Sequence, residues 1–405
     1  MLPALTALLA PLWDDPARFS LAAILAIPPL GPLLFVLINA LSWTRGRPLP
    51  APAGLGPVSV LIPARDEVAN IERCVRAVDA AEGPIAEIIV YDDGSTDGTS
   101  EVLARLQAEL PRLRVLRGAG LPPGWVGKVH ACHQLTAHAT APLLLHLDAD
   151  VSLAPDGLLR MLSLLATPAQ GPAGLSAALV TAVPRQRTGS LAERLMMPLL
   201  HLSYAAWLPL QLIHLVSDPR VLAANGQLLL VRRGALDAVG GWARVRAAVV
   251  DDMALCRAVK ESGQRVVFAD GDQMATCRMY EDAGALWRGF SKNFYEGIGG
   301  RPFALILVIA LHIGLFILPY GGLAVALAGG APDLALAAGV GVAANVLLRA
   351  VLALRHHHGP LSVALHPIAV LGMMAVLLNS AWWSRKGAIQ WRGRSYAARA
   401  AREAA

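Results

Sequence analysis

The chain has 405 residues, 55% of them hydrophobic against 16% charged, and 35 Lys and Arg outnumber 29 Asp and Glu for a net charge of +6. A soluble domain carries roughly a quarter charged residues, so this balance excludes a wholly soluble protein, a disordered chain and a small disulfide-stapled module. Charge concentrates between Arg45 and Arg301 with long uncharged runs on either side, which excludes a many-span transporter and predicts one soluble domain, large enough to bury its own core, held between membrane segments.

Met1 to Trp13 is apolar but lacks a basic n-region, and Asp14 and Asp15 follow where a cleavage site would need small residues. It reads as an uncleaved leader. Leu21 to Trp43 carries no charge and is long enough to cross a hydrocarbon core of about 30 Å. Pro28, Pro29 and Pro32 interrupt it, which costs helix hydrogen bonds that membrane helices recover from their neighbours. Arg45 and Arg47 come directly after. Basic residues behind a first span mark the cytoplasmic side, so the central domain is expected in the cytoplasm.

From Val58, short β-branched runs alternate with amphipathic stretches. Val58 to Ile62 and Glu87 to Tyr91 read as strands, followed by helical Ile71 to Val78 and Thr99 to Leu110. Strand-like Arg114 to Leu116, a helix after Lys128, strand-like Leu143 to Leu147 and helical Gly157 to Leu165 continue the alternation, and Leu228 to Val231 is strand-like again. This order predicts a parallel, doubly wound α/β sheet, which binds ligands beyond the carboxyl ends of its strands.

Leu195 to Val216 is also uncharged, but its Pro198, His201, Pro209, Gln211 and His214 suit a helix lying in the membrane interface. Three apolar blocks close the chain, Phe303 to Gly330, Leu334 to Leu354 and Leu361 to Trp383, ahead of a tail with Arg385, Lys386, Arg392, Arg394, Arg399 and Arg402. Three crossings would leave that tail outside, against the positive-inside rule. One block is therefore expected to be re-entrant or interfacial, and the last, interrupted by His366-Pro367, is the first suspect. The expected domains are a membrane anchor at 1–44, a soluble domain at 45–301 with its interfacial helix at about 195–216, membrane segments at 302–384 and a basic tail at 385–405.

Acidic residues stand at the predicted strand ends. Pro63-Ala-Arg-Asp-Glu67 follows the first strand, Asp92-Asp-Gly-Ser-Thr-Asp-Gly98 the second and Asp148-Ala-Asp150 the fourth, while Asp251-Asp252 precedes helical Ala254 to Lys260. No G-x-G-x-x-G follows the first strand, and Pro122 and Val129 stand where a Walker loop around Gly127-Lys128 needs Gly and Ser or Thr, so both nucleotide-fold alternatives fail. A carboxylate can accept the imide N–H of uracil, and Mg²⁺ or Mn²⁺ is held by one or two carboxylates plus diphosphate oxygens, a bridge that D-x-D at a strand end suits. Cys74, Cys132, Cys256 and Cys277 are far apart without a C-x-x-C and are expected as buried thiols in a reducing compartment. His356-His357-His358 lies between apolar blocks and reads as a membrane-surface loop.

Together these residues closely resemble the family 2 glycosyltransferases, nucleotide-sugar enzymes of the GT-A fold, over roughly Val58 to Lys292. Gly124-Trp-Val-Gly-Lys128, Val250-Asp-Asp-Met253, Leu286-Trp-Arg-Gly-Phe-Ser-Lys-Asn293 and Trp391-Arg-Gly-Arg-Ser-Tyr396 are most similar to the membrane-anchored enzymes associated with hopanoid biosynthesis, with carotenoid and ceramide glycosyltransferases as more distant relatives. The resemblance implies that Pro63, Arg65 and Glu67 line the nucleoside pocket, with Asp93 on the uracil. It also implies that Asp150, supported by Asp148, coordinates a divalent cation, Mg²⁺ or Mn²⁺, on the donor diphosphate, and that Asp252 is the base of an inverting transfer with Asp251 its supporting partner. The Q-x-x-R-W motif of many relatives is missing. Trp287, Arg288 and Lys292 occupy the corresponding region, and with Lys128 they are the candidate diphosphate contacts.

The expectation is an enzyme of the bacterial inner membrane that moves a sugar from a UDP-linked donor to a hydroxyl of a membrane lipid, a hopanoid or related lipid by resemblance alone, with no nucleic-acid partner. Two alternatives stand beside it. A non-catalytic membrane scaffold keeping the fold is disfavoured by the retention of all three acidic sites, and a processive polysaccharide synthase by the few membrane blocks and the absent Q-x-x-R-W.

Overall fold

The structure, a computed structural model, describes residues 10–12, 14–51, 54–167, 177–386, 389–391 and 394–396. Most of the apolar leader, Arg392 and Gly393 of the tail motif and everything beyond residue 396 lie outside the described residues. Packing divides the chain into an α/β unit, built from residues 43–187 and 210–279, and a helical unit from residues 1–42, 188–209 and 280–386.

In the α/β unit the β-branched runs form β1 (Val58–Ala64), β2 (Ile85–Asp92), β3 (Leu113–Arg117) and β4 (Leu143–Leu147). They are followed by β5 (Val151–Leu153), β6 (Ala177–Gln186), β7 (Leu228–Arg232) and β8 (Arg265–Cys277). All eight join one sheet in the order β3-β2-β1-β4-β7-β6-β8-β5. Helices Ile71–Asp79, Thr99–Glu109 and Gly127–His138 separate the first four strands, which pair in parallel as expected. The first of these helices buries Ile71, Cys74, Val75 and Val78, the spacing of one helical face. Val58, Val60, Leu61 and Ile62 of β1 have no exposure, so the core lies on both faces of the sheet.

The other half of the sheet corrects the expectation of a wholly parallel sheet. β7 runs antiparallel to both β4 and β6, and β5 antiparallel to β8, while β6 and β8 are parallel. The reason is local: only Asp148, Ala149 and Asp150 separate β4 from β5, and a parallel crossover needs a dozen residues or more. β5 therefore leaves the ladder of β4 and pairs at the far edge, and the D-x-D segment becomes the turn between them.

In the helical unit, Pro16–Ala26 and Leu30–Ser42 together form a stretch long and apolar enough to cross a membrane, as do Pro332–Arg355 and His366–Lys386. The protein is accordingly membrane-associated. Ile27, Leu41, Phe303, Val325 and Leu354 stand exposed, a pattern that lipid tolerates and water does not. The last block does break at Leu365, between Leu361–Ala364 and His366–Lys386, but its second piece remains long enough to cross. Pro367 is the second residue of the His366–Lys386 helix, where its missing N–H has no intrahelical partner to lose. The block from Phe303 to Gly330 divides as well, at Ile317, into Pro302–Phe316 and Leu318–Ala328, of 15 and 11 residues; each is short of the roughly 20 residues a crossing needs. Pro302–Phe316 is also bent by 113° from the preceding helix Ala283–Gly297. Between 191 and 215 the chain forms only the short helices Leu191–Met196, Pro198–Ala205 and Leu212–Leu215.

Candidate active site

Beyond β1 the chain turns through Asp66, whose φ of 53° lies in the left-handed region, which Asp enters more readily than most residues because its side chain bonds locally. The Asp66 amide donates to Ser95 Oγ at 3.0 Å, and its Oδ1 accepts the Thr96 N–H at 2.8 Å. The Glu67 amide donates to Thr99 Oγ1 at 2.8 Å and the Val68 amide to Asp97 Oδ2 at 3.0 Å. Arg65 Nη1 donates to the Asp93 carbonyl, and the Asp93 amide donates to the Ala64 carbonyl at 2.9 Å. The acidic loops after β1 and β2 are thus stitched into one surface that carries Arg65, Glu67 and Asp93, with Pro63 at the end of β1 opposite Tyr91. Asp93 is only 2% exposed. Its neighbour Asp92 holds the turn, accepting from the Ser95 amide at 2.9 Å and from the Ser100 hydroxyl. Asp92, Ser100, Gln107, Val115 and Arg117 line a cleft of about 510 Å³ on this side of the sheet.

A second group of side chains gathers at the turn between β4 and β5. Lys128, in the first turn of the Gly127–His138 helix, places Nζ 2.6 Å from Asp148 Oδ1 and 2.8 Å from Oδ2. Burial alone would lower the pKa of Lys128, but the charges of Asp148 and Asp251 hold it well above the ordinary lysine value. Asp150 is pushed up to about 7 by burial and by the charges of Asp148 and Glu67. Its Oδ1 is sealed from solvent without a hydrogen-bond partner.

Asp251 and Asp252 open the helix Asp251–Glu261. Burial and the Asp251 charge push Asp252 up to about 6, while its Oδ1 accepts the Met253 N–H at 2.7 Å. Behind it stands Gly226, where a Cβ would lie 3.2 Å from the Asp252 Cβ. The Asn225-Gly226-Gln227 turn ahead of β7 therefore lies close against Asp252, and a side chain at residue 226 would require one of them to shift by a few tenths of an ångström.

These groups fit a hard divalent cation. Among the described residues no three His, Cys, Asp or Glu side chains form a ready-made cage, but Mg²⁺ and Mn²⁺ are usually held by one or two carboxylates plus substrate phosphates. Asp150, with a buried Oδ1 that no described residue satisfies, is a carboxylate of that kind, and Asp148 adjoins it.

Trp287, Arg288 and Lys292 lie on the Ala283–Gly297 helix, in the helical unit rather than in the unit that carries the acidic groups. Trp287 is 40% exposed. Gly289 in the same motif accommodates the Tyr280 ring, whose Cε1 would lie 2.2 Å from a Cβ there. The sequence reading missed what the cysteines do. All four are buried free thiols, and burial pushes every one of them up. Cys74 Sγ lies 3.7 Å from the Asp148 carbonyl, and Gln227 Nε2 donates to Cys277 Sγ at 2.9 Å. Cys132 feels Lys128 and Asp251, and Cys256 feels Asp252. The thiols are buried close to the acidic groups and stay uncharged there. The available signal was spacing: Cys132 and Cys256 each follow a charged site residue by four positions, one helical turn.

A sheet half parallel and half mixed, with acidic loops beyond β1, β2 and β4 and an Asp pair opening a later helix, has the arrangement of the GT-A fold. Residues 59–191 match the model of the family 2 glycosyl transferases. The chain is 32% identical over 188 residues to the beta-monoglucosyldiacylglycerol synthase of Nostoc sp., an alignment covering 46% of this chain and 37% of that protein. To the 4,4'-diaponeurosporenoate glycosyltransferase of Staphylococcus aureus it is 25% identical over 354 residues, 84% of this chain and 88% of that one. The solved mannosyltransferase of Pyrobaculum calidifontis, in complex with GDP-Man and Mn²⁺, has the same fold with a TM-score of 0.54, 18% identity and coverage of 90% of this chain and 98% of that one.

Proposed function

We propose that this protein moves a sugar from a nucleotide-diphosphate donor, UDP-linked, onto a hydroxyl of a membrane lipid, with inversion at the anomeric carbon. The observation that carries the reading is Asp252, a half-buried carboxylate raised to about 6 beside Asp251. It is ionised at neutral pH and yet much more basic than an ordinary Asp, as a general base should be. Asp252 takes the proton of the acceptor hydroxyl while that oxygen bonds to the anomeric carbon. The bond from this carbon to the diphosphate oxygen breaks, and its electron pair leaves with the nucleoside diphosphate. Lys128 offers positive charge to the departing group. Asp150 and Asp148 would hold a divalent cation, which when bound supplies Lewis-acid stabilisation of the diphosphate. Arg65, Glu67 and Asp93 present the surface for the nucleoside, with Asp93 for the uracil.

The acceptor's lipid nature is supported by the candidate spans and by the lipidic compounds named for the Nostoc and Staphylococcus relatives. The narrower acceptor class, a hopanoid or related polycyclic or isoprenoid lipid, rests on the subfamily motifs. One crossing before the α/β unit and two after it, with the broken Phe303 to Gly330 block re-entrant, would keep that unit and the basic tail on the cytoplasmic face of a bacterial inner membrane. This parity satisfies the positive-inside rule. The test is purified protein supplied with UDP-sugar, Mn²⁺ and lipid extract. Lipid-dependent UDP release with a product carrying one added sugar is expected; absence of release would favour the scaffold, and a ladder of products would favour polymer synthesis.

A further inference from the structure

The helical unit holds a fully buried cation that no described residue neutralises. Arg349 sits in the Pro332–Arg355 span without measurable exposure. Its Nη1 donates to the Pro198 carbonyl at 3.3 Å and its Nε to the Ser362 carbonyl at 3.4 Å, both longer than an ordinary N–H···O bond. Nη2 has no hydrogen-bond partner. Among the described residues Arg349 makes no ion pair, and the buried acid of the same helix, Asp333, is already taken by Arg18 at 2.6 Å. A charge held inside a membrane protein marks a ligand or ion site by default, because leaving it uncompensated is strongly unfavourable.

Further unsatisfied polar atoms surround it. The Tyr320 hydroxyl and both ring nitrogens of His366 are buried without hydrogen-bond partners, and both residues lie within electrostatic reach of Arg349. Asn345, one helical turn before Arg349 and on the same face, leaves its Oδ1 unsatisfied while its Nδ2 donates to the Leu315 carbonyl at 2.9 Å. His366 stands edge-on to Phe316 with ring centroids 5.3 Å apart, which holds the imidazole in place. Arg349, Tyr320 and His366 come from separate helices, so packing assembles the group.

Water would satisfy the hydrogen bonds but leave the charge; an anion with several oxygens does both. We propose that Arg349, with Tyr320 and His366, binds an anionic oxygen group, a phosphate or carboxylate, borne by a membrane lipid. The lipid source follows from the exposed apolar residues on the same helices, Val325, Leu327 and Leu354, which place bilayer rather than water beside the site. This site stands apart from the sugar-transfer reading and is read by binding alone.

The test uses the full chain, purified and delipidated in a neutral detergent. Dodecyl phosphate, laurate, inorganic phosphate and uncharged dodecanol are titrated in thermal-shift and native mass-spectrometry measurements at pH 7.5. Dodecyl phosphate or laurate should raise the melting temperature of the wild type, and Arg349→Gln should weaken that binding at least about tenfold, Arg349→Lys less and Tyr320→Phe about threefold. Without ligand, Arg349→Gln should melt no lower than the wild type, since it removes an uncompensated charge. A purely structural Arg349, bolted to the Pro198 and Ser362 carbonyls, would instead give a lower-melting variant with unchanged binding, and that result overturns the proposal. Equal stabilisation by dodecanol would also overturn it, and equal affinity for inorganic phosphate would remove the lipid as source. If Arg349→Gln does not fold, Tyr320→Phe carries the test, and unchanged dodecyl phosphate affinity there is decisive against the site.

Discussion

Replacing Asp150 by Asn should stabilise the cation-free protein. The carboxyl titrates at about 7 instead of the ordinary 3.8, because burial and the neighbouring charges disfavour its ionised form. Between those values the folded chain keeps a proton that the unfolded chain has lost, so the stability this group contributes is complete below 3.8 and is lost as pH rises through about 7. At 1.36 kcal/mol per pH unit the interval corresponds to about 4 kcal/mol. Asp150 is half-buried, and solvent screening brings the expected effect to about 2 kcal/mol. Asp150→Asn keeps the shape without the charge. In chelator at pH 8 it should melt higher than the wild type by about 4–8 °C, and the difference should shrink steadily towards pH 4. Added Mn²⁺ should reverse the order, because it stabilises by mass action only the form that binds it and an amide is a poorer ligand for a hard cation. Differential scanning fluorimetry in detergent across this pH range, with EDTA or Mn²⁺, measures both. A variant that melts lower in chelator at pH 8 would mean that Asp150 is well satisfied in the protein, and equal Mn²⁺ stabilisation of both proteins would remove it from the cation site.

Asp252→Asn should lower single-turnover transfer by about 10²-fold to 10⁴-fold with UDP affinity nearly unchanged, and loss of UDP binding would reassign the residue to the donor. In the wild type the rate should rise with pH through about 6, since Asp252 is protonated below that value and a competent base above it; a rate flat from pH 5 to 8 contradicts this. Gly226→Ala presses a Cβ to 3.2 Å from the Asp252 Cβ, and because an ångström of misplacement can cost about 10²-fold, a drop of roughly tenfold in turnover at constant UDP affinity is expected; an unchanged rate would show that the contact is slack. A cysteine at exposed Glu101 should resist an impermeant thiol reagent in intact cells and react after lysis, whereas labelling in intact cells would put the α/β unit on the opposite face.

Local pattern made β4 legible to the residue, because the leucines of Leu143–Leu147 flank His146 in a run buried on both sides. The antiparallel half of the sheet was not legible, since a strand's direction depends on its partner: β8 pairs with β6 along most of its length and then takes β5 on its other edge. Only the three-residue gap between β4 and β5 hinted at the reversal. The prolines show the same limit. Pro319 and Pro367 each stand second in a helix that starts after a break, at Ile317 and at Leu365, yet only the first break leaves no piece long enough to cross, and composition does not distinguish the two settings. In the candidate site the acidic residues could be read at strand ends, but the unsatisfied oxygen of Asp150 and the fit of Gly226 behind Asp252 arise from segments that meet only in the folded chain.

The hydrogen bonds joining Asp66, Glu67 and Val68 to Ser95, Thr96, Thr99 and Asp97 make the two loops a single exchangeable part. Each bond has one end on the loop after β1 and the other on the segment after β2, so a graft that transplants either loop alone leaves backbone amides and side-chain oxygens without their counterparts. It also leaves Asp66 in a left-handed turn without the contacts that hold it there. On the proposed reading of these loops as the nucleoside surface, redesign of the nucleotide preference therefore has to move residues 65–68 and 92–99 together, and chimaeras that cut between them should express poorly before donor preference can be measured.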